Sequence, residues 1–176
     1  MTKKETSTFY LTERITITAG STATTATVDL GSFIDVVSRQ CLAVEAIDFM
    51  FQGTTADERI TTTVGNDADV FVQISDLNRG GTIQFVDDRA LIASGTLTVN
   101  HSDNSYSNHT DLFPDIFGSK DGVRLVVNDQ LYLTALSTAV ASNKAVNVTV
   151  RIKCHVRKLT NKDFVALTLQ SVAADN

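Results

Sequence analysis

Side chains that alternate between apolar and polar along short segments constrain this chain more than any other feature, because a period of two belongs to a strand with one buried face. The last such segment shows it most clearly. Val146, Val148, Val150, Ile152, Cys154 and Val156 share one parity, and Asn147, Thr149, Arg151, Lys153, His155 and Arg157 the other. The pattern opens the chain too: in Phe9 to Ile17 the odd positions are apolar except Glu13. Thr24 to Leu30 is β-branched and strand-prone, and Val70, Val72 and Ile74 mark another strand. Leu42 to Gln52 is apolar on both parities, as a strand covered on both faces would be, or one whose faces swap at a bulge.

The segments between strands carry turn chemistry. Asn78-Arg79-Gly80-Gly81 predicts a turn, with Thr82 to Val86 returning as a strand. Gly31 to Gln40 reads as a connection with one helical turn, and Thr54 to Asp67 as a loop or loosely paired hairpin. Leu97 and Val99 lie in a strand near Gly95 to Asn100. The alternating runs on either side of Asn128-Asp129 predict a hairpin. His101 to Gly122 is the longest irregular stretch, a polar surface loop followed by the apolar Leu112-Phe113-Pro114-Asp115-Ile116-Phe117.

Thr160-Asn161-Lys162-Asp163 matches a helix N-cap with an acid three residues on. A short C-terminal helix follows, with Phe164, Leu167 and Ser171 on one face and Val165, Leu169 and Val172 on another; one more strand through Phe164 to Leu169 is the competing reading. Eight or nine strands with little helix predict an all-β, antiparallel two-sheet sandwich, a single jelly roll with a short C-terminal helix. The division is a flexible N-terminal segment at 1–8, the jelly-roll sandwich at 9–158, and the helix and tail at 159–176. At 176 residues one domain suffices.

The net charge of −5 disfavours direct nucleic-acid binding, which needs a basic surface, and two lysines near the start do not make a basic arm. No run of about 18 apolar residues predicts a membrane span. The opening residues have no apolar core before a small-residue cleavage site, so the chain is expected to be made in the cytoplasm. Cys41 and Cys154 read as buried free thiols.

Signatures of catalysis are missing. No Gly-x-Ser-x-Gly elbow or phosphate-binding glycine loop occurs. His101 and His109 share a loop with Asp103 and Asp111, but their spacing follows no metal-ligand rule, and a solvated loop explains them. Asp57-Glu58, Asp67 with Asp69, and Asp87-Asp88 read as turn carboxylates. No catalytic residue, metal or cofactor is assigned, and the chain is read as not an enzyme. The basic stripe Arg151, Lys153, His155, Arg157, its members about 7 Å apart on one strand face, is either an ordinary solvated face or a contact for an acidic protein surface, anionic lipid or nucleic acid; the acidic chain favours a partner with acidic patches, including a second copy.

Ile17-Thr18-Ala19-Gly20, then Val28-Asp29-Leu30-Gly31-Ser32-Phe33-Ile34-Asp35, then the apolar run Leu42 to Gln52 together resemble the opening of small single jelly-roll capsid proteins of viruses. The resemblance covers the first third in detail and the rest in pattern. It implies a structural shell protein, a capsid subunit assembling into a virion coat with copies of itself and other coat proteins, and a virion location after synthesis in the host cytoplasm. A shell lying over an internal viral membrane would suit the missing basic arm. The candidate subunit contacts are Leu112, Phe113, Ile116, Phe117, Arg151, Lys153, Arg157, Phe164 and Leu167. The alternative is a non-catalytic β-sandwich binding module for a carbohydrate or protein ligand, against which stand the absence of Trp and the presence of only 3 Tyr.

Overall fold

The computed structural model describes residues 5–18, 20–112 and 122–173. In chain order the elements are β1 (Phe9–Ile17), β2 (Thr24–Asp29), β3 (Gln40–Gln52), α1 (Ile60–Thr63), β4 (Ala68–Ser75), β5 (Leu91–Asn100), β6 (Ser105–Leu112), β7 (Arg124–Val126), β8 (Gln130–Ser137), β9 (Val146–Lys158) and α2 (Asn161–Ala173). Two antiparallel sheets form, one ordered β1-β9-β3-β7 and the other β2-β8-β4-β5-β6. First pairs with last (β1 with β9), then β2 with β8, β3 with β7, and β4 with β5. A single long antiparallel ribbon rolled across two layers gives this order, and it is the jelly roll. β6 is an extra strand outside β5, an edge that overhangs the narrower four-stranded sheet.

The core lies between the sheets. Ile15, Ile17, Val44, Ile47, Phe49, Val148, Val150 and Ile152 meet Val70, Val72, Ile74, Leu97, Val99, Leu131 and Leu133, all buried. The double-parity run in β3 is explained by both of its possible causes. Before Glu45, Leu42 and Val44 face the core while Cys41 and Ala43 pack outside with Val123, Leu125 and Leu167. The register shifts between Val44 and Ala46, so Ile47 and Phe49 then take the core side. The bulge therefore swaps faces where the outer cover ends.

Several connections differ from expectation. Asn128-Asp129 does not close a hairpin: β7 pairs with β3 and β8 with β2 and β4, so the chain crosses from one sheet to the other there. Asn128 Nδ2 donates to the Asp76 carbonyl at 2.7 Å, and the Asp129 carbonyl accepts from Leu30 N at 2.7 Å, which holds the crossing. Alternation on both sides of a turn says nothing of which sheet each side joins.

Thr82 to Val86 is not a strand either. The Gln73 side chain brackets Gln84, donating from Nε2 to its carbonyl at 2.8 Å and accepting from its N–H at 2.7 Å, in place of a backbone ladder. The stretch predicted irregular contains β6, and β5 starts earlier than expected, at Leu91. β6 has no alternation to read because the described part of it is exposed on both sides. Thr54 to Asp67 is a loop with one helical turn, α1.

α2 forms where the cap signal placed it. Thr160 Oγ1 accepts from Asp163 N at 3.2 Å and donates to Asp163 Oδ2 at 2.8 Å. At the other end of the chain, residues 5–8 run along β9: Thr6 N donates to the Val156 carbonyl at 3.0 Å, and Glu5 bridges to Arg157.

Candidate interaction surface

The basic stripe of β9 is matched by acids of the same chain. Arg151 lies across from Asp48 and stacks over Tyr10, its guanidinium carbon 4.3 Å from the ring centre. Lys153 Nζ lies 2.9 Å from Glu45 Oε2, and His155 Nδ1 lies 2.9 Å from Glu45 Oε1. Arg157 Nε lies 2.8 Å from Glu5 Oε1, and both His155 and Arg157 are buried. The stripe is thus no plain solvated face. Three of its members, Lys153, His155 and Arg157, are engaged within the subunit by Glu45 and Glu5, which sequence spacing does not connect to β9.

Glu45 is the centre of this cluster because the bulge points an unpaired residue outward. Thr8 Oγ1 also donates to it, at 2.9 Å. The hydrogen bond from Lys153, helped by those from His155 and Thr8 and opposed by burial, holds its carboxyl down at about 2.

Of the predicted contacts on α2, Phe164 is 5% exposed and Leu167 packs on Cys41, Ala43, Val123 and Leu125. That face docks the helix onto its own subunit. The opposite face leaves Val165 and Leu169 exposed. Phe113, Ile116 and Phe117 lie outside the described residues, and Leu112 ends β6.

The turn carboxylates and histidines serve local structure. Asp67 Oδ1 accepts from His101 N at 2.7 Å, and His101 Nδ1 lies 3.1 Å from the Thr61 carbonyl. Asp69 Oδ1 accepts from Thr98 at 2.7 Å, and Ser107 Oγ lies 2.6 Å from His109 Nε2. Among the described residues no three His, Cys, Asp or Glu side chains gather as metal ligands would. Cys41 and Cys154 are free and buried, and burial pushes each thiol up to about 12. Neither offers a thiolate for chemistry.

The sequence did not single out a cleft of about 470 Å³ between the end of β3, the loop into α1 and the overhanging β6. Phe51 and Ile60 line its apolar side, Leu97 its floor, and Tyr106, Asn104 and Asn108 the β6 side, while Asp57, Glu58 and Arg59 stand on its rim. β7 pairs with β3 only at Leu42 to Val44, so the far half of β3, paired with β9 on one side, has no neighbour on its other edge among the described strands. Tyr106 pairs with Val99, whose side chain faces the core, and therefore points to the inner side of the sheet. It is nevertheless 64% exposed, because the opposite sheet stops short of it.

A second feature is apolar and outward. Phe85 is 86% and Val86 60% exposed. Their turn is fixed at both ends, by Gln84 on Gln73 and by Asp88, which pairs with Arg79 at 2.9 Å and accepts from Ala90 N at 2.8 Å. Adjacent Phe and Val in a predicted strand would be read as core, which is how the signal was lost.

No protein-family model matches the sequence, and no curated protein matches it. Solved structures do. The VP1 of Merkel cell polyomavirus, described as an unassembled pentamer, is 8% identical, with a TM-score of 0.43 over 86% of this chain and 96% of that one. A chain of Desmodium yellow mottle tymovirus is 11% identical, with a TM-score of 0.44 over 88% and 90%. A chain of an archaeal virus, described by its triple jelly-roll fold and turret assembly, is 12% identical, with a TM-score of 0.41 over 90% of this chain and 31% of that one.

Proposed function

We propose that the chain is a structural shell protein, a capsid subunit that self-assembles into a virion coat without catalytic activity. The observation that carries the reading is the pairing of a jelly-roll strand order with apolar side chains left outside the core: Val36 and Val37 on one loop, Phe85 and Val86 on another, Val165 and Leu169 on α2. A subunit whose sandwich is already complete has no internal use for such groups, and exposed apolar clusters of this kind are where copies meet.

The resemblance of Ile17 to Gln52 to small jelly-roll capsid proteins supports the same reading. Its partners are copies of itself and other coat proteins, in a virion made in the host cytoplasm. A net charge of −5 suits a shell beside an internal viral membrane better than one that grips nucleic acid directly.

Sedimentation velocity and negative-stain electron microscopy of the purified chain test it. Discrete oligomers or shells that grow with concentration are expected. A monomer at every concentration up to the millimolar range, alone and with the other proteins of its source particle, would remove the reading.

A further inference from the structure

We infer that the Phe85-Val86 turn of one copy seats in the Tyr106 cleft of the next, making a head-to-tail contact between subunits. This deepens the proposed shell function and rests on it. The turn is an apolar projection on the outer face of the five-stranded sheet, held there by Gln84 on Gln73, whose neighbours Val72 and Ile74 face the core. The cleft opens on the other side of the same sheet, under the overhang of β6, with Phe51, Leu97 and Tyr106 as its apolar lining. The two point away from each other, so one copy cannot satisfy itself, and the contact repeats from copy to copy until a ring closes or a larger array forms.

Charge selects a second copy as the occupant. The cleft rim carries Asp57-Glu58-Arg59, and the turn is followed by Asp87-Asp88-Arg89. In each triplet the middle acid is tied down within its own subunit, Glu58 by Lys144 and Asp88 by Arg79. The outer members, Asp57 and Arg59 on one and Asp87 and Arg89 on the other, are exposed, and none has an ion-pair partner among the described residues. Laid antiparallel, Asp57 meets Arg89 and Arg59 meets Asp87 on either side of the seated ring. Both partners are already rigid, since Asp88 N donates to the Phe85 carbonyl at 3.1 Å and Thr54 N to Glu58 Oε2 at 3.0 Å, so little order is lost on contact.

Sedimentation of the full chain and of variants at exposed positions tests this. Phe85→Ser is expected to raise the concentration of half-association about tenfold or more. Arg59→Asp and Asp87→Arg are each expected to raise it about fivefold, and the two together in one chain to restore most of the loss. In an equal mixture of Phe85→Cys and Tyr106→Cys chains, mild oxidation should yield mixed disulfide dimers, since Cys41 and Cys154 are buried. If the parent chain associates but Phe85→Ser associates equally well, the reversals are not compensated, or only like-with-like dimers form, this contact is wrong and the shell reading stands. A parent chain that is always monomeric removes both.

Discussion

Gly95→Ala tests whether the two sheets meet as closely as the packing requires. Gly95 lies in β5 between Val72 of β4 and Thr110 of β6, and the Phe49 ring from the opposite sheet rests on it. A Cβ at this position would lie 2.7 Å from Phe49 Cδ2 and 3.3 Å from Cγ, whereas carbon atoms pack at about 3.5–4.0 Å. Phe49 is 9% exposed and has little space to retreat into. Overpacking of this kind costs about 1–3 kcal/mol. Against it stands about 0.5–1 kcal/mol gained because alanine orders more easily than glycine where the backbone is unstrained. The net expectation is a loss of about 1–2 kcal/mol. With a urea slope of about 2 kcal/mol per molar, the midpoint falls by about 0.5–1 M at fixed protein concentration. Phe49→Leu removes the ring atoms in conflict, so Gly95→Ala should cost less in that background, with a coupling of about 0.5–2 kcal/mol. A Gly95→Ala chain as stable as the parent, or costs that simply add, would show that the ring does not press on this backbone.

Three other outcomes follow from buried or paired groups. Arg124 Nη2 lies 3.1 Å from Asp76 Oδ2 with both side chains buried, so Arg124→Ala, which strands the carboxylate, should cost about 3–5 kcal/mol in denaturant unfolding. Glu45, held near 2 against an ordinary 4.5, binds its proton less readily in the folded state; its stabilisation is present above pH 4.5 and disappears as pH falls toward 2. Stability measured against pH should therefore drop less steeply across that window in Glu45→Gln than in the parent, and identical slopes would contradict the cluster. Cys41 and Cys154 should resist a thiol reagent at pH 8 in the native protein and both react once it is unfolded; rapid native labelling would show that either is exposed.

Where one face of a strand is apolar and the other polar, the sequence displayed it. β1, β4 and β9 were legible as period-two runs, and the Thr160 cap announced α2. β6 was not, because an overhanging edge has no covered face to impose alternation on Ser105 to Asn108. The cleft escaped for a related reason: Phe51 ends a run that reads as core, Tyr106 sits in a polar stretch, and Arg59 looks like any loop cation. The basic residues of β9 were found, but the acids that meet them were not.

What the sequence by itself determined is therefore local: which segments extend, which face of each is apolar, where the helix begins, and that the two thiols belong inside. Only the tertiary structure decided which strands are neighbours, that Asn128-Asp129 crosses between sheets, that Glu5 and Glu45 meet Arg157 and His155, and that the Tyr106 cleft and the Phe85 turn face opposite ways. Alternation is set by each strand's own pleat and can be read one residue after another. Pairing depends on contacts between positions more than a hundred residues apart, such as Phe9 with Cys154, and no short window of sequence records them.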